Sequence, residues 1–248
     1  MRGKVKARLY VAADLNQGCE VRLAAEPAHY LRNVLRAEIG DEVMLFNGRD
    51  GEWRFRVDVL AKGSAMARAI ERSRAQSPEP DLWLLFAPVK RTRLDFIAEK
   101  ATELGVSALW PIFTRYTQMT RINVERLRAT AIEAAEQSER LSVPEIREPK
   151  PLADALVDWP RERRLVVCAE RGPAVPMADA LAGLSGPAAI LVGPEGGFAD
   201  GELDDLAKLD FVSRVGLGPR ILRADTAAVA ALSVWQALAG DWRGSRGV

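Results

Sequence analysis

One stretch constrains the fold more than any other. Residues Ala188 to Trp235 read AAILVGPEGGFADGELDDLAKLDFVSRVGLGPRILRADTAAVAALSVW. Two apolar runs within it, Ile190–Val192 and Phe211–Leu217, each stop in a glycine-containing turn, and each turn leads into a helical pattern. An apolar strand, a glycine turn and a helix make the unit of a parallel α/β sheet, whose ligands bind beyond the carboxyl ends of the strands. Gly193, Gly196 and Gly197 leave the backbone bare enough for a flat ligand to lie against peptide groups, and Pro194 fixes φ where the turn begins. The second turn, Gly216-Leu217-Gly218-Pro219, repeats the device and delivers Ile221, Leu222 and Arg223. Asp225 has the residue type of an N-cap for the long apolar helix that follows.

The chain upstream carries the same alternation as far back as Asp81. Leu82–Ala87, Ala108–Phe113 and Leu165–Ala169 read as strands. The stripes Leu94, Ile97, Ala98, Ala101, Leu104 and Leu127, Ala131, Ala134, Ala135, Ser138 read as helices, and Met177–Leu184 as a short one. Successive β–α units predict a parallel sheet covered by helices on both faces. Residues 8–72 are different. Arg8–Ala12, Glu20–Leu23, Glu42–Phe46, Trp53–Leu60 and Ala65–Glu71 are short β-prone runs, with the hairpin dipeptides Asn47-Gly48 and Asp50-Gly51 between two of them. One helical patch interrupts at His29–Arg36: Leu31, Val34 and Leu35 form an apolar face, and Arg32 and Arg36 project together from another. These runs predict a small barrel. Between the regions, Ser73-Arg74-Ala75-Gln76-Ser77-Pro78-Glu79-Pro80 is polar and twice interrupted by proline. The organisation expected is therefore a barrel domain over 1–72, a linker over 73–81 and an α/β domain over 82–248.

Composition excludes several chemistries. His29 is the one histidine, and Cys19 and Cys168 are the two cysteines, in 248 residues. That argues against Ser-His-Asp or Cys-His catalysis, a disulfide framework and a cysteine or histidine metal site; no metal is expected. With 35 basic against 34 acidic residues, no global field marks a nucleic-acid partner. No apolar run approaches a membrane span, and MRGKVKARLY lacks the apolar core of a signal peptide, so a cytoplasmic protein is expected. Neither glycine turn matches a nucleotide motif in full. Gly193–Gly197 lacks the Gly-Lys-Ser/Thr of a phosphate loop, and Val215–Ile221 lacks the third glycine of a dinucleotide fingerprint. Their occurrence at successive strand ends favours one shared pocket.

The residues become specific when read together. LVGPEGGF (Leu191–Phe198) followed by LGPRILRADTAAVAAL (Leu217–Leu232) resembles the RsmE family, the uridine-N3 methyltransferases of small-subunit ribosomal RNA in the SPOUT class. The resemblance extends, in collinear order, to HYLRNVLR (His29–Arg36), KRTRLDFIAEKATELGV (Lys90–Val106) and EAAEQSERLSVPEI (Glu133–Ile146). It implies an N-terminal PUA-like barrel, a C-terminal α/β domain with a trefoil knot, S-adenosyl-L-methionine as methyl donor, a homodimer, and ribosomal RNA or the small subunit as partner. On this reading the cofactor residues are Val192, Gly193, Gly196, Gly197, Leu217, Gly218, Ile221, Leu222 and Thr226, and the RNA contacts are Arg32, Arg36, Lys90, Arg91 and Arg140. The chain departs from the family's pattern at Gln137–Ser142, usually richer in Cys, Gly and Asn, and at Glu170-Arg171-Gly172, where Glu with small residues is common.

Methyl transfer from a sulfonium needs neither metal nor covalent intermediate, so the shortage of His and Cys is no obstacle. It needs the nucleophile held in line with the methyl group. Uridine N3 carries a proton at neutral pH. Glu195 is a candidate base or a carboxylate that braces its turn, and Arg223 a candidate stabiliser of a developing uracil anion or a partner of Asp225. Two other functions fit parts of the pattern: a non-catalytic ribosomal RNA-binding module, and an NAD-type oxidoreductase using the Gly216/Gly218 turn.

Overall fold

The computed structural model describes residues 5–89, 91–172 and 174–244, with Arg91 in backbone only. Its contacts divide the chain into two units, Met1–Pro78 with Ala135–Val143, and Glu79–Ala134 with Pro144–Val248.

The first unit is a five-stranded sheet. Strands β1 (Val5–Tyr10), β2 (Glu20–Leu23), β3 (Glu42–Phe46), β4 (Glu52–Ala61) and β5 (Ser64–Arg74) lie in the order β1-β3-β4-β5-β2. The β1–β3 pair is parallel and the others antiparallel. Trp53, Phe55 and Val57 on β4 and Ala65, Ala67 and Ala69 on β5 alternate inward, as a strand's period of two requires, and pack with Leu9, Leu23 and Leu45. The turn from β3 to β4 is organised by Asn47, whose side-chain carbonyl accepts from the N–H groups of Arg49 and Asp50 at 2.9 Å.

Three expectations change here. Strand β5 runs to Arg74, two residues into the expected linker, because Ser73 and Arg74 both bond Glu52, a carboxylate only 5% exposed. Glu52 also takes the Arg8 guanidinium at 2.6 Å, and Arg8 in turn donates to the carbonyls of Ala135 and Arg140. Ala135–Val143 thereby belongs to the first unit, although its sequence continues a helix of the second. Finally, His29–Arg36 is no continuous α-helix. Helix α1 (Ala25–His29) widens into a π turn at Tyr30–Val34, and Arg36 takes a left-handed φ of 49°. The Ala37 N–H closes the end on the Leu31 carbonyl at 2.9 Å, so Arg36 leaves the helix and shares no helical face with Arg32. Leu31 is buried, whereas Val34 is 59% exposed, because the π turn rotates it away from the core.

The second unit is a parallel sheet. Its strands β6 (Leu82–Phe86), β7 (Ala108–Phe113), β10 (Arg164–Cys168), β12 (Ala188–Val192) and β13 (Val212–Gly216) lie in the order β13-β10-β12-β6-β7. Short strands β8 (Glu145–Ile146), β9 (Lys150–Pro151) and β11 (Val175–Pro176), which carry no sequence signal, extend the edges. Alternation sends Leu82, Leu84 and Phe86 to one face and Trp83 and Leu85 to the other. The first face is covered by helices α2 (Arg91–Glu103) and α7 (Ala224–Leu238) through Leu94, Ile97, Ala228, Leu232 and Trp235. The second is an aromatic layer of Trp83, Trp110, Trp159 and Phe211, under helices α4 (Leu152–Val157) and α6 (Asp200–Ala207). Helix α3 (Val124–Gln137) buries Leu127 and Ala131. Helix α5 is four residues, Met177–Ala180, shorter than the pattern through Leu184 predicts. Among the described residues no helix is long and apolar enough to cross a membrane.

Candidate functional site

Three adjacent strands end at one edge. β10 lies between β12 and β13, and Cys168, Val192 and Val215 stand level in register. The chain leaves β12 through Pro194–Gly197, a turn closed by the Gly197 N–H on the Pro194 carbonyl at 2.9 Å, and leaves β13 through Leu217–Arg223 into α7. Between these segments lies a cavity of about 220 Å³.

The glycines of this wall stand in different settings. A Cβ on Gly193 would stand 2.9 Å from the Phe198 ring, so Gly193 is bare because Phe198 folds back over it. Gly197 and Gly218 have φ of 72° and 100°, the left-handed region. At Gly216 and Gly218 a Cβ would meet nothing within 4 Å, so both turn bare backbone toward open space.

Of the residues expected to hold a cofactor, Val192, Gly193, Gly197, Leu217, Gly218, Ile221 and Leu222 line the cavity together. Ile221 is 78% exposed, an apolar side chain held at the rim. Gly196 lines a neighbouring cavity instead, under Tyr116, and Thr226 is exposed in the first turn of α7 without lining either. The two residues read as catalytic line neither. Glu195 is exposed and takes the Arg93 guanidinium at 3.1 Å, while Arg93 also reaches Asp225 at 3.9 Å. The N-cap position of α7 is filled by the backbone of Arg223, not by Asp225, which lies in the first turn and accepts from the Thr226 N–H. The Arg223 side chain is exposed.

Residues that the sequence reading left without a site role stand at the end of β10 and just beyond it. Cys168, Ala169, Glu170 and Gly172 line the same cavity, and so do Phe198 and Arg220. Burial pushes the Cys168 thiol up to about 12, so no thiolate faces the cavity at neutral pH. Of the expected RNA contacts, Arg32 and Arg36 are exposed, and Arg140 is partly buried with its guanidinium on the Ser142 hydroxyl at 3.0 Å. Lys90 and the Arg91 side chain lie outside the described residues. Among the described residues no cluster of His, Cys, Asp or Glu could hold a metal ion.

The chain matches two protein families: an RNA methyltransferase domain over residues 76–236, and an RNA methyltransferase PUA domain over residues 23–68. It is 33% identical over 232 residues to the ribosomal RNA small subunit methyltransferase E of Rickettsia conorii, covering 91% of this chain and 93% of that one. It is 34% identical over 237 residues to the enzyme of the same name from a Synechocystis species, covering 93% and 77%. The structure superposes on that of ribosomal RNA small subunit methyltransferase E from Neisseria gonorrhoeae bound to S-adenosyl methionine, with a TM-score of 0.87, 28% identity, and 95% of this chain and 99% of that one covered. The chain belongs to the RNA methyltransferase family of ribosomal RNA small subunit methyltransferase E.

Proposed function

We propose that this protein methylates N3 of a uridine in small-subunit ribosomal RNA, with S-adenosyl-L-methionine as donor. The observation that carries the reading is the cavity bounded by the ends of β10, β12 and β13, with bare backbone at Gly216 and Gly218, in a chain of this family. These residues fit the donor. Peptide groups of the two glycine turns offer N–H and C=O to an adenine edge, and Leu217, Ile221 and Leu222 supply apolar walls. Bound there, S-adenosyl-L-methionine supplies an electrophilic methyl group.

The remaining residues position the acceptor. Arg223 sits exposed at the positive end of α7, outside both cavities, and adds its charge to that helix N-terminus as a distant stabiliser of the developing uracil anion. Glu195 acts as a brace. Through Arg93 it ties the first glycine turn to the first turn of α7 at Asp225. Thr226 belongs to that same turn. In the first unit, Arg32, Arg36 and Tyr30 are all exposed, the cations suited to phosphate and the ring to a base. Arg140, Lys90 and Arg91 complete the proposed RNA contacts. The homodimer and trefoil knot implied by the family resemblance are part of this reading, and ribosomal RNA as substrate makes it a cytoplasmic one. The sheet alone does not cover α7, whose Leu238 stays exposed.

Calorimetry with S-adenosyl-L-methionine followed by transfer of labelled methyl to small-subunit RNA tests the proposal. Affinity for the RNA without donor binding or transfer to any uridine would leave only an RNA-binding module; affinity for a nicotinamide cofactor instead would make the protein an oxidoreductase.

A further inference from the structure

A second cavity, of about 120 Å³, adjoins the first and shares two lining residues with it, Glu170 and Phe198. Its other walls are Tyr116, Arg171, Gly196 and the start of α6 at Asp200. Tyr116 is 50% exposed, yet its loop is fixed. Thr114 and Thr117 bond each other through backbone and hydroxyl groups, and the Arg115 N–H donates to Glu202 at 2.9 Å. Glu202 also accepts the Ala199 N–H at 2.9 Å, fastening the loop to the first turn of α6. A solvent-facing aromatic ring on a fastened loop is a stacking surface whose ordering cost is already met by the fold. Opposite it, Gly196 is bare, with its Cβ position 3.3 Å from the Tyr116 Cβ.

Resting on the function proposed above, we propose that this second cavity receives the acceptor uracil, and that Glu170, in the wall shared with the cofactor cavity, takes the N3 proton. The placement follows from the transfer itself, because the reacting nitrogen must meet the methyl group where the two cavities join. The chemistry follows from the base edge. Uracil presents N3–H as a donor between two carbonyl acceptors. A carboxylate accepts from the donor, and the Arg171 guanidinium, whose Nε lies 3.7 Å from Glu170 Oε1, is placed to donate to a carbonyl beside it. Cytosine presents a bare nitrogen lone pair at the same position, which a carboxylate repels, so the carboxylate also selects uracil. In the step, the N3–H proton moves to Glu170 and the pair it leaves on nitrogen forms the N3–methyl bond. The sulfur–methyl bond breaks with its electrons staying on sulfur, which becomes a neutral thioether. Glu170 then releases the proton to water.

The test uses the full-length protein, a small-subunit RNA fragment containing the target uridine, and the same fragment with cytidine there. Glu170→Gln is expected to bind S-adenosyl-L-methionine within about threefold of wild type, to transfer methyl roughly 10²-fold more slowly, and to lose the preference for uridine over cytidine in RNA binding. Its rate should keep rising with pH where the wild-type rate has levelled. Tyr116→Ala should raise the KM for RNA about tenfold with donor affinity unchanged, and Tyr116→Phe should restore it. Wild-type transfer by Glu170→Gln overturns the proposal. So does a loss of donor affinity in Tyr116→Ala or Glu170→Gln, which would assign the second cavity to the cofactor. A wild type that binds no S-adenosyl-L-methionine overturns the underlying function, and this subsite with it.

Discussion

The Glu170 carboxylate and the backbone of Gly197 lie in direct apposition. Gly197 has a φ of 72°, and a Cβ there would stand 2.6 Å from Glu170 Oε1. Alanine at this position meets two penalties, a left-handed backbone costing about 1–2 kcal/mol and a displaced carboxylate. Gly197→Ala should lower the melting temperature and weaken S-adenosyl-L-methionine at least tenfold by calorimetry. Gly196 is the contrasting case. It has no left-handed φ, and its Cβ position meets Tyr116 at 3.3 Å. Gly196→Ala should leave donor affinity near wild type and slow transfer to RNA. Equal loss of donor affinity in both variants would merge the two cavities into one site.

Arg223→Ala should lower kcat by less than the roughly 10²-fold expected of Glu170→Gln, because its exposed side chain lines neither cavity and acts on the uracil only through its charge, with donor affinity retained. Its rate–pH profile should move to higher pH, because an unstabilised uracil gives up its N3 proton less readily. Arg223→Lys should recover part of the rate, a point charge being a poor substitute for a planar fork. Loss of cofactor binding in step with activity would make Arg223 structural.

Arg32 and Arg36 leave the chain from different backbone conformations, one in the π turn and one at its left-handed end. Both are exposed, so each can meet a phosphate independently. Replacing both by alanine should weaken RNA binding and reduce the salt slope by about one per lost contact, with no effect on the cofactor. An unchanged slope would show two solvated side chains.

Glu52 tests the first unit. Burial alone would raise its carboxyl, but hydrogen bonds from Arg74, Arg8 and Ser73 outweigh burial and hold it below the usual carboxylate range. A depressed folded-state value means stability present above the unfolded value and lost as pH falls through the folded one. Denaturant unfolding should therefore show an acid-side loss that Glu52→Gln reduces, and the variant should be about 3 kcal/mol less stable at pH 7, because the partly buried Arg8 loses its counter-charge and is left with backbone carbonyls. An identical acid limb in both proteins would remove Glu52 from the account.

The parallel sheet was legible because each main strand writes its own apolar run and helical stripes fall between the runs, with glycine turns after β12 and β13. Two things were not. Strand adjacency carries no sequence signal, so nothing places β10 between β12 and β13, and Glu170 beyond its end stands out only against the family pattern, not as a site residue. The pairing partners of a charge are equally hidden. Glu195 stands in the middle of the glycine motif, but Arg93, from a distant helix, takes its carboxylate. Likewise the Arg8–Glu52 pair, not composition, draws Ala135–Val143 into the first unit.

The most direct measurement of the central claim is mass spectrometry of small-subunit ribosomal RNA after incubation with the wild-type protein and methyl-labelled S-adenosyl-L-methionine. The account predicts a single labelled nucleoside, 3-methyluridine, formed roughly 10²-fold more slowly by Glu170→Gln while that variant still binds the donor. Label on a ribose, on another base, or on no nucleoside at all would contradict it.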